Sequence, residues 1–140
     1  MENYIDLVGF EGFYEVSDLG NIRRKKGQTI YKDGRIGNFS QTVLKKAYNH
    51  KGYEIVYLSV GSVKHTKLVH RLVAITFIPN PDNKATVNHK DLNKLNNTPD
   101  NLEWMTNKEN MQHAFANGVY KERDKTTILN IKHMRRKLDV

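Results

Sequence analysis

The chain has no cysteine among its 140 residues. That removes a disulfide framework and any zinc site built on thiolates, and it suits a reducing compartment. Long apolar runs are also missing, so nothing approaches the ~20 residues needed to span a membrane. The first ten residues, MENYIDLVGF, lack a basic stretch ahead of an apolar one, as a secretory leader would have. The expected location is the cytoplasm, with no membrane partner. No repeat or low-complexity linker divides the chain. At 38% apolar it is expected to build one modest core, with room for no more than a small appendage.

Negative charge is the scarcer sign, with 15 Asp and Glu against 23 Lys and Arg and a net charge of +8. The imbalance is uneven. Residues 1–80 hold 12 basic and 7 acidic side chains, residues 81–118 hold 4 and 5, and residues 119–140 hold 7 and 3. Basic flanks around a near-neutral middle suit a polyanion gripped on both sides of a site, although charge alone equally describes a merely soluble surface.

Turn signals punctuate the N-terminal part: Asp18-Leu19-Gly20-Asn21, Lys26-Gly27, Lys32-Asp33-Gly34 and Val60-Gly61-Ser62. Tyr53 to Val60 (YEIVYLSV) is rich in β-branched and aromatic residues and is expected to be a strand, with VKHTKLV as its hairpin partner. In HRLVAITFI the residues Leu72, Val73, Ile75 and Phe77-Ile78 predict a short buried helix stopped by Pro79 and Pro81. Farther on, Ala85 to Lys90 and Leu102 to Met105 read as short strands. Thr106 and Glu109 form a capping box for a helix that ends at Gly118. Trp104 and Leu102 read as core. The tail YKERDKTTILNIKHMRRKLDV predicts a basic amphipathic helix beginning at Thr126 or Thr127.

The middle of the chain thus runs strand, loop, strand, helix. His89 ends the first strand, Asn101 opens the second and Asn110 lies early in the helix. The segments VHRLVAITFIPNP, VNHKDLNKLNN, NLEWMT and NKENMQHAF together resemble the HNH nuclease family, whose active site is a ββα-metal (His-Me finger) unit. The earlier GFEGFYEVSDLGNIRR is similar to a module found upstream of such units in phage and intron-encoded homing endonucleases. The resemblance implies an α+β fold: an N-terminal antiparallel β-sheet with hairpins (1–69) that contacts DNA, an HNH unit (70–118), and a basic C-terminal helix (119–140).

For function, it implies a metal-dependent endonuclease hydrolysing phosphodiester bonds in double-stranded DNA, nicking as a monomer or cutting both strands as a homodimer. No small-molecule cofactor is implied. The catalytic set carried over is His89, Asn101 and Asn110. His89 would be the base that deprotonates water, a step typically contributing about 10²–10⁴-fold. Asn88 and Asn110 would hold one divalent metal, Mg²⁺ or Mn²⁺, with oxygen ligands. Asn101 would tie the loop to His89, and His113, one turn after Asn110, is a candidate for metal or phosphate contact. Asn93, Asn96 and Asn97 read as turn residues, Asp91 as a loop brace, and His50 and His133 as solvated.

For gripping DNA the candidates are Arg23, Arg24, Lys45, Lys46, Lys64 and Lys67 on the N-terminal sheet, with Lys25, Lys26 and His65 nearby, and His70 and Arg71 beside the cut. Two other functions stay open: a catalytically silent DNA-binding protein that keeps the fold, for which Asn88 in place of an acidic ligand speaks, and a nuclease acting on RNA or without sequence preference.

Overall fold

The computed structural model describes residues 1–118; the helix expected within 119–140 lies outside the described residues. The first sheet is arranged around a tight turn. The Ser17 hydroxyl accepts from the Leu19 and Asn21 backbone N–H groups, and Gly20 adopts a left-handed φ of 80°. This turn joins β2 (Tyr14–Ser17) to β3 (Ile22–Arg24). With β1 (Tyr4–Asp6) and β6 (Thr42–Val43) they form an antiparallel sheet in the order β1-β2-β3-β6. Between β3 and β6 the chain makes a separate hairpin, β4 (Gly27–Ile30) with β5 (Ile36–Phe39). Gly27, expected within a turn, opens β4 instead.

A third sheet follows, β7 (Ala47–Tyr48), β8 (Glu54–Val60) and β9 (Val63–Leu68), with β8 in the centre. Val56 and Leu58 on β8 are fully buried, as the alternation of a half-buried strand requires. Tyr14 also keeps its polar end satisfied inside the protein. Its hydroxyl accepts from the Ser59 N–H at 2.8 Å and donates to the Ser59 carbonyl at 3.1 Å.

The expected short helix is α1 (Val69–Phe77), burying Val69, Leu72, Val73 and Ala74. Ile78, ahead of Pro79, is extended, because the proline ring disfavours helical geometry in the preceding residue. Strands β10 (Thr86–His89) and β11 (Leu102–Met105) pair antiparallel, with Asn88 opposite Glu103 and His89 opposite Leu102. A single 3₁₀ turn, Pro99–Asn101, leads into β11. The last helix, α2 (Asn107–Ala116), carries the capping box read from the sequence: the Thr106 side chain accepts from the Glu109 N–H, and the Glu109 side chain accepts from the Thr106 N–H.

The fold is therefore α+β, with N-terminal antiparallel sheets and a ββα unit. One buried cluster joins Leu7, Tyr14, Val16, Ile22, Val56 and Leu58 to Val69, Leu72, Val73, Ala74, Val87 and Leu102. Trp104 packs against this cluster, its indole N–H donating to the Ile78 carbonyl at 3.0 Å. The strands before α1 and the ββα unit after it share this apolar interior.

Candidate active site

The two strands of the ββα unit present adjacent polar residues on β10, Asn88 and His89, both almost wholly buried. Across the ladder the Asn88 amide donates to Glu103 Oε1 at 3.0 Å. That bond turns the amide oxygen of Asn88 away from the carboxylate. Helix α2 supplies Asn110 and His113, one turn apart. Together Tyr53, Asn88, His89, Lys94, Asn110 and His113 are among the residues lining a cleft of about 380 Å³. Four of the five residues expected at the reaction centre thus meet in one place. Among the described residues, no group of three His, Cys, Asp or Glu side chains converges to hold a metal.

The fifth, Asn101, acts differently from expectation. Its amide oxygen accepts from the Asp91 N–H, and its amide nitrogen donates to Asp91 Oδ1 and to the Asn96 carbonyl. Its own carbonyl accepts from the Lys90 N–H. Asn101 therefore clasps the loop between β10 and β11 through Asp91, and makes no bond to the His89 ring. Asp91 receives three N–H donors, from Asn96, Asn93 and Asn101. These hold its carboxyl below the usual carboxylate range.

The side chain that reaches the His89 ring is Asn97. Its Oδ1 lies 2.6 Å from His89 Nε2, and its Nδ2 donates to Glu54 Oε2 at 2.8 Å. Glu54, buried on β8, is in turn paired with Lys46 at 3.2 Å. Asn93 and Asn96 fit the turn reading, whereas Asn97 is buried within the site. No periodicity in the sequence marks it, since its partner Glu54 is 43 residues away. Behind it, Gly20 sits so close that a Cβ there would lie 2.8 Å from the Asn97 carbonyl oxygen.

His70 also departs from expectation. Instead of facing outward to phosphates it is buried from α1 into an aromatic column: Tyr53 stacks on His70 with centroids 5.0 Å apart, and His70 meets His89 at 5.0 Å. Burial, then the neighbouring His89 and Arg71 charges, push the His70 imidazole down to about 4. His70 is a neutral wall for the His89 ring.

Several expected DNA-binding cations are engaged within the protein. Arg23 pairs with Glu15 at 2.9 Å and lies over the Tyr4 ring. Arg24 lies 3.6 Å over Phe39 and donates to the Ser59 carbonyl. Lys46 turns toward Glu54, Lys25 pairs with Asp6, and Arg71 donates to the Ala85 carbonyl beside Trp104. Lys45, Lys64 and Lys67 are exposed.

Comparison with known proteins follows the same outline. The family described as HNH endonuclease matches residues 67–112, and the NUMOD4 motif matches residues 2–59. An HNH endonuclease of Acanthamoeba polyphaga mimivirus is 44% identical over 108 residues, 77% of this chain and 28% of that one. The chain spans only about a quarter of that relative and of a second mimivirus HNH endonuclease. DNA endonuclease I-HmuI of Bacillus phage SP01 is 34% identical over 131 residues, 93% of this chain and 67% of that protein. A solved structure of the HNH homing endonuclease I-HmuI, concerned with DNA binding and cleavage, matches at a TM-score of 0.71 and 33% identity, over 94% of this chain and 68% of that chain. The two matched motifs in order, together with 34% identity to I-HmuI over 67% of its length, place this chain in the HNH endonuclease family.

Proposed function

We propose that the protein hydrolyses phosphodiester bonds in double-stranded DNA, cutting one strand at a single ββα site with the help of a divalent cation. The observation that carries this reading is the convergence of Asn88, His89, Asn110 and His113 on one cleft. The family's relatives that act on DNA support it.

The donor chemistry fits a hard cation. Asn88 and Asn110 offer two neutral amide oxygens, and Mg²⁺ is commonly held by one or two protein groups with substrate phosphates and waters completing its shell. Asn88, with its nitrogen committed to Glu103, presents the oxygen. A cation bound there would polarise the scissile phosphate and stabilise the leaving oxygen.

The chain's own residues do the rest. His89 accepts a proton from a water as the water oxygen bonds to phosphorus. The phosphorus–O3′ bond then breaks, and the departing oxygen keeps its electron pair and takes a proton from solvent. His70 and Tyr53 keep the imidazole fixed and shielded on one face. His113 stands on the same wall as Asn110 and contacts the phosphate. Lys64 and Lys67 on β9 and Lys45 between β6 and β7, all exposed, bind the flanking backbone.

The test is nicking of supercoiled plasmid by the wild type and His89→Ala, each with Mg²⁺, Mn²⁺ or EDTA. Metal-dependent nicking that drops at least 10²-fold in the variant is the expected result. Equal activity in both would assign the chemistry elsewhere. Retained DNA binding with no nicking by the wild type under any condition would make the protein a silent binder.

A further inference from the structure

The structure assigns to Asn97, aimed by Glu54, the role of positioning residue for His89: it holds the imidazole as the Nε2–H tautomer and leaves Nδ1 as the nitrogen that takes the proton. This deepens the nuclease reading and rests on it.

The inference follows from donor and acceptor accounting. A carboxylate can only accept hydrogen bonds, so Glu54 dictates which end of the Asn97 amide it meets, namely Nδ2. The opposite end, Oδ1, is then the atom facing His89 Nε2. An amide oxygen can only accept, so Nε2 must carry the hydrogen. In a neutral imidazole the other nitrogen, Nδ1, is then the unprotonated one. Nδ1 has no protein partner among the described residues. Lys46 Nζ meets the same Glu54 oxygen, Oε2, at 3.2 Å, so that oxygen faces two donors.

All three polar members of the relay nearest the ring are buried: Glu54 at 6%, Asn97 at 3% and His89 at 5% exposure. Such a buried chain is well satisfied only in this one orientation, and reversing any amide would set like groups against each other. The relay also begins outside the ββα unit. Glu54 and Lys46 belong to the β7–β9 region, so the N-terminal half of the protein sets the chemistry of the base.

The experiment uses the full chain with ¹⁵N-labelled histidine, at a pH where His89 is neutral, its ring signals assigned with His89→Ala. Protonated and unprotonated ring nitrogens resonate far apart, so the tautomer is read directly and without DNA. The wild type is expected to show Nε2–H alone. Asn97→Ala and Glu54→Ala are each expected to give a mixture of tautomers, while Glu54→Gln, whose amide oxygen can still accept from Asn97, restores the single form. In the plasmid assay kcat is expected to fall about 10–100-fold in the two alanine variants, with KM little changed, and to recover in Glu54→Gln. Should Asn97→Ala fail to fold, the Glu54 pair gives the same reading from one residue farther back.

A wild-type Nδ1–H tautomer would overturn the assignment. So would a tautomer indifferent to both alanine substitutions, even with His89-dependent nicking intact, and the nuclease reading would then survive alone. If the tautomer responds as stated but no variant or wild type nicks DNA, the positioning role holds and the nuclease reading falls.

Discussion

At the scale of single residues, the site sets a neutral histidine, His70, against the His89 ring. His70 has an imidazole pushed from an ordinary 6.5 down to about 4, so it stays uncharged where the unfolded chain would bind a proton. The sign follows directly. Between pH 6.5 and 4 the unfolded state holds more protons, so stability falls as pH falls through that window, and this contribution levels off below about 4. From pH 7 to pH 5 the loss from this one group is about 2 kcal/mol. His70→Phe keeps a ring against Tyr53 and removes the titration, so its urea stability should fall by about 2 kcal/mol less over the same range. Parallel losses in the two proteins would show that His70 is not buried neutral.

A second residue argument concerns Asn88, where an acidic ligand would bind a cation more strongly. Glu103 stands directly across the ladder and accepts from the Asn88 amide at 3.0 Å. An Asp there would place two carboxylates in contact, which disfavours ionising both. Asn88→Asp should therefore lower the melting temperature in EDTA and regain part of it when Mg²⁺ or Mn²⁺ is added, a rise the wild type shows more weakly. A variant as stable as wild type in EDTA would count against the Glu103 contact. His89 and Asn110 were legible in the sequence because the ββα order fixes where they fall. Asn97, Glu54 and the inward turn of His70 were not, since each is defined by a partner on another element, at separations of 43, 43 and 19 residues.

At the scale of elements, the sequence was most informative where the controlling chemistry is local. The capping box of α2, the proline stop after α1 and the β8–β9 hairpin all depend on residues within a few positions of one another, and all stand as read. What periodicity could not show is how the Asp18–Asn21 turn serves the site. Gly20 has a φ of 80° and packs its bare Cα against the Asn97 backbone. Gly12 has a similar φ of 83° but nothing within 4 Å of where a Cβ would stand. Substituting Ala at Gly12 should cost only the backbone strain, about 1–2 kcal/mol. Gly20→Ala should cost measurably more and, by displacing Asn97, should also reduce nicking by the protein that remains folded. Equal destabilisation by thermal melting, with equal specific activity, would mean the β2–β3 turn does not brace the loop. Helix α2 offers the complementary case. It buries none of its residues fully, so its cap matters more than its packing, and Thr106→Ala is expected to cost about 1 kcal/mol while loosening the turn that carries Asn110.

For the whole molecule, a net charge of +8 overstates the cations the described residues offer to a polyanion. Arg23, Arg24, Lys25, Lys46 and Arg71 are occupied by carboxylates, carbonyls or aromatic rings within the fold. Sequence reading could not separate them from Lys45, Lys64 and Lys67, because a lysine's charge is visible in a sequence and its partner is not. The distinction is measurable through salt. Each phosphate neutralised by a bound cation contributes roughly 0.9 to the slope of log affinity against log salt concentration. Replacing Lys45, Lys64 and Lys67 together by Ala should flatten that slope by up to about 2.7, if all three meet phosphates, and leave the melting temperature nearly unchanged, since exposed lysines contribute little to stability. Arg24→Ala should do the reverse. Its guanidinium spans Phe39, Tyr14 and the Ser59 carbonyl, so removing it should unfold the protein more readily and leave the salt slope of the folded fraction unaltered. An unchanged slope in the triple variant, with a flatter one in Arg24→Ala, would move the proposed DNA-binding surface from these three lysines to the hairpin that Phe39 anchors.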